Sequence, residues 1–428
     1  MTPEIEKRVK AVRAGRVPTG YCSVAGATMP KEWNLVKLGS IFGNRIDINH
    51  SDYELLSITA DKGVIPRSTI ADKDNSSEDK SKYKHICIGD IGYNTMRMWQ
   101  GVCALSAYDG IVSPAYTILA PSDGICASYF AYLFKMQFMI NLFYRNSQGL
   151  VDDTRCLKYE WFKNIEMKIP PIGEQKKIAE ILATQDKVIE LKEKLIAEKQ
   201  SQKKYLMSVL LGDDFKKPFK LNGVTIDKKK WEKKKLGELL EFKNGVNVER
   251  DKIGFGTKMI SVVDILSDKP ITYDVIRNSV ALTKDELSIY DVKYGDVLFQ
   301  RSSENYDDAG MSNIYVDENK CATFSGFVIR GKKIGEYNPY CLNAILRIPS
   351  SRRKIMKKAA GAQHVNIGQD ALATVLISLP SLPEQKVIAD VLFAADEEIS
   401  LLQKDLEQEK LKKKSLMQLL LTGLVRVQ

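Results

Sequence analysis

Two short stretches hold the residue types that read DNA bases. The first, Asn94-Thr-Met-Arg-Met-Trp-Gln100, gathers donors, acceptors and an aromatic ring into one loop. Arg, Asn and Gln make bidentate contacts to guanine and adenine edges, and a Thr methyl packs on the thymine methyl. Its candidates are Asn94, Thr95, Arg97, Trp99 and Gln100. The second stretch is Gln300-Arg-Ser-Ser-Glu-Asn305. There Arg301, Ser302, Ser303 and Glu304 are the candidates, with Glu304 placed to accept from a cytosine amine. Arg67 and Lys258 suit phosphate contacts, which set position and carry no sequence information. Lys82, Lys84, Lys158, Arg250, Arg352 and Arg353 belong to the same class. The competing reading is that both loops only cap strand ends.

Catalytic constellations are missing from the sequence. Gly326-Phe-Val-Ile-Arg-Gly-Lys-Lys333 approaches a phosphate loop, but Lys333 stands where a Mg²⁺-binding Ser or Thr is required. A strand through Val328 and Ile329 is the better reading. Gly254-Phe-Gly256 lacks a following helix, and no Asn-Pro-Pro-aromatic signature of an amino-methyltransferase occurs. The three histidines, His50, His85 and His364, are spread along the chain and read as ordinary satisfied residues. Seven cysteines without a CxxC pair fit reduced thiols and speak against a zinc ribbon. No metal site and no cofactor of the chain's own are expected.

Composition sets the class. With 428 residues, two or three domains are the prior. A formal charge of +10 permits a nucleic-acid partner without proving one. The N-terminus is charged from Glu4 to Lys10 with no apolar segment, and no eighteen-residue apolar run occurs. A soluble, cytoplasmic protein is the expectation.

The elements that must position the loops come from a repeat. Ile169-Pro-Pro-Ile-Gly-Glu-Gln-Lys-Lys-Ile-Ala-Glu-Ile-Leu recurs as Leu379-Pro-Ser-Leu-Pro-Glu-Gln-Lys-Val-Ile-Ala-Asp-Val-Leu. The offset from Glu174 to Glu384 and from Gln175 to Gln385 holds for about forty residues. Prolines are tolerated at a helix mouth, and Glu174 and Glu384 place charge where the macrodipole favours it. No Pro or Gly then intervenes before Gly212 or beyond Pro383 before Gly423. Each copy therefore reads as a helix of roughly 55–60 Å. One heptad-like seam runs Leu182, Gln185, Ile189, Lys192, Ile196, Lys199, Lys203, Leu206, Leu210. Its partner runs Leu392, Ala395, Ile399, Leu402, Leu406, Glu409, Lys413, Leu416, Leu420. Two such stripes predict a paired coiled coil; packing on separate cores is the alternative.

Each helix is preceded by a globular segment. Trp33-Asn-Leu-Val-Lys-Leu-Gly and Trp231-Glu-Lys-Lys-Lys-Leu-Gly open segments rich in short β-branched and aromatic runs. Expected strands include Tyr53–Thr59, Ile86–Tyr93 and Ala115–Leu119, then Lys258–Val263, Asp296–Phe299 and Ala322–Ile329. Gly89-Asp90 and Gly295-Asp296 mark turns. Helical stretches over Ser128–Tyr144 and Pro339–Ala360 follow. The fold class is α+β, with two similar globular parts joined by two long antiparallel helices in a pseudo-two-fold repeat. The expected boundaries are a helical segment over 1–20, globular parts over 21–169 and 213–379, and helices over 170–212 and 380–424. Ala14-Gly-Arg-Val-Pro18 also resembles the far end, Thr422-Gly-Leu-Val-Arg426.

The tandem Pro-x-x-x-Glu-Gln-Lys-x-Ile-Ala helices resemble the conserved regions of the DNA-specificity subunits of type I restriction–modification systems. So do Leu416-Met-Gln-Leu-Leu-Leu-Thr-Gly423 and the Trp-x-x-x-x-Leu-Gly entries. Ser381 in place of the second proline, and Gly173 opposite Pro383, are the departures. The resemblance implies two target recognition domains, each reading half of a bipartite site in double-stranded DNA. The helices would act as spacer and dock two methyltransferase subunits, with restriction and motor subunits beyond. Glu174, Gln175, Leu182, Ile189, Ile196, Leu206, Leu210, Glu384, Gln385, Leu392, Ile399, Leu406, Leu416 and Leu420 are the residues assigned to coiled coil and docking. S-adenosylmethionine, ATP and Mg²⁺ would bind the partners and not this chain, which would itself be non-catalytic. Two other classes remain open on the residues alone: a coiled-coil scaffold without DNA contact, and an enzyme with an unrecognised active site.

Overall fold

The computed structural model describes residues 2–59, 62–70, 76–149, 151, 154–212, 217–361 and 364–427, with the side chain of Arg250 outside the described residues. Two compact units emerge: Met1–Lys192 with Asp405–Gln428, and Glu193–Lys404. Both contain a four-stranded antiparallel sheet of the same plan. In the first the order is Phe42–Arg45, Tyr116–Pro121, Ile91–Asn94, Cys103–Leu105. In the second it is Leu240–Asn244, Val328–Lys333, Val297–Gln300, Ser312–Ile314. Strand Val328–Lys333 occupies the stretch that imitates a phosphate loop.

Each tryptophan entry leads into a strand that returns to the foot of a long helix. Asn34–Lys37 pairs with Glu166–Ile169, and Glu232–Lys235 pairs with Leu376–Leu379. The long helices follow as Ile172–Leu211 and Leu382–Leu421. Their feet are fixed by matching hydrogen bonds. Gln175 Oε1 accepts the Cys126 N–H at 3.1 Å and Gln175 Nε2 donates to the Pro170 carbonyl at 2.9 Å. Gln385 Oε1 accepts the Asn338 N–H at 2.8 Å and Nε2 donates to the Pro380 carbonyl at 2.7 Å. Cys126 and Asn338 are the residues that cap the starts of helices Ala127–Leu133 and Pro339–Arg347, so each glutamine ties two helix starts together.

The helices pair in opposite directions within each unit. In the first unit Gln185 Nε2 donates to the Glu409 carboxylate at 2.6 Å, while Asp186 meets Lys413 and Lys192 meets Asp405. In the second, Lys199 meets Glu398 and Lys203 meets Asp396. None of the seam positions is exposed. The fold is thus α+β with two similar globular parts and a pair of long antiparallel helices, as the repeat requires.

The cores join helix to sheet. In the first unit Phe130, Phe134, Phe143 and Phe162 pack with Trp33, Ile178 and Leu182, and Leu420 and Leu421 close the cluster. In the second, Leu210 and Leu211 pack with Ile226, Leu236, Ile388 and Leu392. Fully burying one such leucine is worth roughly 1.5–3 kcal/mol.

Some local expectations were too coarse. The stretch 128–144 is two helices, Ala127–Leu133 and Gln137–Asn146. The stretch 339–360 is also two, Pro339–Arg347 and Pro349–Met356, because Pro349 cannot sit inside a helix. The expected strand over 258–263 ends at Ile260, and a short helix Val262–Leu266 starts behind Ser261, which shares a capping box with Asp264. The run over 86–93 is split at Gly89-Asp90 into Lys84–Ile86 and Ile91–Asn94.

Candidate nucleic-acid interface

Both candidate loops leave the third strand of the listed order at the same place. The Thr95 N–H donates to the Ala115 carbonyl at 3.2 Å, and the Arg301 N–H donates to the Phe327 carbonyl at 2.9 Å. Ala115 and Phe327 each directly precede or lead into the neighbouring strand. The backbone frame is shared and the side chains differ.

In the first unit the loop is braced from inside. Asn94 Oδ1 accepts the Met96 N–H at 3.0 Å, and the Thr95 hydroxyl donates to the Ala115 carbonyl at 2.8 Å. Trp99 Nε1 donates to the Met96 carbonyl at 2.9 Å, and its ring meets Tyr144 edge-on at 6.0 Å. The turn closes at Gly101, whose φ of 79° favours glycine. Met98 is buried beneath it. Arg97 and Gln100 remain exposed. Their fork and amide suit purine edges, whereas the polar atoms of Thr95 and Trp99 are committed within the loop.

The second loop is more deeply set. Gln300 is buried and its Nε2 donates to the Ser302 carbonyl at 3.0 Å. Arg301 is half-buried with Nη1 donating to the Gly326 carbonyl at 3.3 Å. Ser302–Ser303 pairs with Val365–Asn366. Ser303 is buried, and its hydroxyl accepts the Asn305 N–H at 3.1 Å. Ser303 therefore braces the loop and is not free for a base, contrary to expectation. Glu304 and Asn305 are exposed. So is Phe327, at 66%, a stacking surface beside Arg301 that sequence reasoning missed. A lone Gly-Phe before a strand gives no signal of it.

The phosphate candidates divide. Lys82, Lys158 and Arg353 are exposed, and Arg67 is half-buried. Lys84 Nζ donates to the Tyr116 carbonyl at 2.6 Å, and burial lowers its pKa. Lys258 Nζ donates to the Ile276 carbonyl at 2.6 Å. Arg352 is a correction: it is buried and donates to the carbonyls of Gly310, Ala309 and Asp307 at 2.7, 2.8 and 2.9 Å. A guanidinium so enclosed holds a turn together and does not meet phosphate. The Arg250 side chain lies outside the described residues.

On the helices, Leu182, Ile196, Leu210, Leu392, Ile399, Leu406 and Leu420 are buried, while Ile189, Leu206 and Leu416 are half-buried. Glu174, Gln175, Glu384 and Gln385 are buried too, so they cannot present a docking face, and that assignment is corrected. Glu174 takes the Arg426 guanidinium on both oxygens, from Nε and Nη2, each at 2.7 Å. Glu384 accepts from Ser381 Oγ at 2.7 Å, the Ser381 N–H at 2.9 Å, the Asp227 N–H at 3.0 Å and Trp231 Nε1 at 3.2 Å. Burial pushes this carboxyl up, but the hydrogen bonds outweigh it and hold its pKa below the ordinary value. Leu191, Leu195, Leu401 and Leu411 stand exposed off the seam. Among the described residues no helix is long and apolar enough to cross a membrane.

Comparison with known proteins follows the same repeat. The family of the type I restriction modification DNA specificity domain matches residues 30–199 and again 228–411. Among curated proteins, a Methanocaldococcus jannaschii chain with the provisional name type I restriction enzyme MjaX specificity subunit is 27% identical over 83% of this chain and 82% of its own. The MjaVIII specificity subunit of the same organism is 28% identical, over 62% of this chain and 63% of its own. A solved chain from a type I R-M system superposes with a TM-score of 0.57 at 17% identity, covering 92% of this chain and 98% of that one. The S subunit of a type I restriction-modification system from M. genitalium gives 0.52 at 14% identity, covering 91% and 96%. At these identities the structural likeness is one of fold. The sequence match spans both halves, and on it the chain belongs to the family of type I restriction modification DNA specificity domains.

Proposed function

We propose that the chain is the DNA-specificity subunit of a type I restriction–modification complex, each globular part reading one half of a bipartite site in double-stranded DNA. One observation carries this reading. Two loops on one backbone frame, Asn94–Gln100 and Gln300–Asn305, present different side chains from two sheets of the same strand order. A shared frame with divergent tips is what two readers of two sequences require. The exposed pair Arg97 and Gln100 faces the first half-site, and Glu304 with Phe327 faces the second.

The long helices set the spacing between half-sites and dock two methyltransferase subunits. Leu191 and Leu195, one turn apart on the first helix and both exposed, support this, since adjacent exposed apolar side chains mark interaction surfaces. Restriction and motor subunits assemble beyond them. The methyl donor, ATP and Mg²⁺ bind those partners, and this chain is non-catalytic and works in the cytoplasm. All seven cysteines are free thiols, which suits that compartment.

The test is reconstitution with the methyltransferase subunits and mapping of methylated adenines across a genome. A bipartite, asymmetric motif is expected. Methylation by this chain alone would instead mark an enzyme. Failure of the assembled complex to retain DNA in a filter-binding assay would mark a scaffold.

A further inference from the structure

His50 and His85 are far apart in the chain, yet their rings lie 4.8 Å apart in the first unit. Asp47 stands between them. Its Oδ1 is 2.8 Å from His50 Nε2, and its Oδ2 is 3.0 Å from His85 Nδ1. Cys87 Sγ lies 3.9 Å from that nitrogen and 3.8 Å from His85 Nε2, so it favours neither. On the other side of that ring, His85 Nε2 is 2.8 Å from Asp109 Oδ1. Asp47, His50 and His85 offer ligand atoms all within 4.8 Å of one another, as do His85, Cys87 and Asp109.

The backbone builds this meeting. Asn49 takes a left-handed φ of 71°, turning His50 back over Asp47. The Asn49 N–H donates to the Ser81 carbonyl at 3.1 Å, and the His85 N–H donates to the Asp47 carbonyl at 2.8 Å. His85 sits in strand Lys84–Ile86, registered opposite Ile111, and Asp109 immediately precedes that partner strand. The ligand types are thus delivered by three separate segments that hydrogen bonds hold together.

We propose that Asp47, His50 and His85 bind one divalent transition-metal ion of the zinc type, with Asp109 orienting His85 from the outer shell. Imidazole selects such an ion over Mg²⁺ or Ca²⁺, which prefer oxygen. Tetrahedral zinc places nitrogen and oxygen ligands about 3.3 Å apart, given its usual bond lengths. The Asp47 oxygens, at 2.8 Å from His50 Nε2 and 3.0 Å from His85 Nδ1, lie within about half an ångström of that separation. A carboxylate on the far nitrogen of a ligating histidine is the usual second-shell arrangement, and Asp109 supplies it. Hydrogen bonding between histidine and carboxylate explains each pair alone. It does not explain why one carboxylate gathers two imidazoles from separate segments. Bound metal would tie the 47–50 segment to the sheet of the first reading domain and release protons as the ligands shed them.

The test uses the untagged full chain titrated with Co²⁺ and then Zn²⁺, read by visible absorption and by metal content after dialysis. One ion per chain is expected, with Co²⁺ d–d absorption that zinc abolishes. His50→Gln keeps a partner for Asp47 but removes the ligand, and it and His85→Ala should abolish tight binding. Asp109→Asn should weaken it about 10–100-fold. His364→Ala, in the other unit, should change nothing. Circular dichroism establishes that each variant is folded. Wild-type affinity no greater than that of folded His50→Gln would overturn the site, as would loss of binding in His364→Ala.

Discussion

Lys203 of the first long helix forms an ion pair with Asp396 of the second, and the repeat reproduces the pair with the roles exchanged, Lys413 with Asp186. All four residues sit at or beside the seam and are half-buried. The apolar seam drives helix pairing, but apolar stripes tolerate slippage, and charged positions within them fix register. The two pairs therefore act as matched pins. Individually each contributes little, since partly exposed ion pairs are worth about 0–1 kcal/mol. Lys203→Glu should cost a few times that through like-charge contact with Asp396. Adding Asp396→Lys should restore most of the loss, and a double-mutant cycle in urea checks it. A second mutation that deepens the loss would show that the pair is incidental.

Division of labour between the globular parts gives a second prediction. Arg97→Ala or Gln100→Ala should relax recognition in one half-site only, because a lost bidentate base contact costs roughly 1–3 kcal/mol. Methylation profiling of the mutant complex reads this directly. Equal degradation of both halves would contradict it.

A ruler must lengthen when its ends are moved apart. Lys199 faces Glu398, so a heptad inserted after each keeps both apolar stripes in phase. Each helix grows by roughly 10 Å. The half-site spacing should increase by up to about 3 bp, at about 3.4 Å per step along each strand. An active, folded variant with its original spacer would show that the helices do not set the distance.

The foot of the second helix should respond to acid. Glu384 has a depressed pKa, so its contribution is complete above the ordinary carboxylate value of about 4.3. It is lost as pH falls through the lower value of the folded state. Glu384→Gln should destabilise the second unit by roughly 1–3 kcal/mol at neutral pH, because buried N–H donors lose an anionic acceptor. The variant should also be less sensitive to pH below about 4 than the wild type. Melting curves across that range, followed by Trp231 fluorescence, check both signs.

Much of this was legible in the residues, and the reason is periodicity. The seam from Leu182 to Leu210 could be read because a 3.5-residue period and a second copy say the same thing twice. The place of the two candidate loops was legible from Gly89-Asp90 and Gly295-Asp296, whose aspartates are buried and accept turn N–H groups from Cys87 and Lys293. What could not be read was direction. Arg352 looks like a phosphate contact and is turned inward onto three carbonyls. Glu174 looks like a surface charge at a helix mouth and is clasped by Arg426 from the far end of the chain. His50 and His85 meet only because a left-handed Asn49 and a strand register bring them together, and neither leaves a pattern in sequence.

The repeat also predicts what half of the protein does. Residues 1–212 contain the first globular part and the first long helix, but not Leu420 and Leu421, which close the core around Met29 and Trp33. They do contain the copies, Leu210 and Leu211, which serve the second unit in the same way. Without the second helix, the stripe of Leu182, Ile189, Ile196, Leu206 and Leu210 would lie open, and soluble chains rarely leave such a stripe uncovered. The nearest cover is the same helix of another molecule, with Lys203 meeting Asp186 across a two-fold axis as it meets Asp396 in the whole chain. A two-fold dimer places one patch on both subunits, so it would carry two identical readers. We expect residues 1–212 to dimerise and, with methyltransferase subunits, to modify an inverted repeat of the first half-site. Light scattering that reports a stable monomer would refute the dimer, and a methylated motif that stays asymmetric would refute the readout.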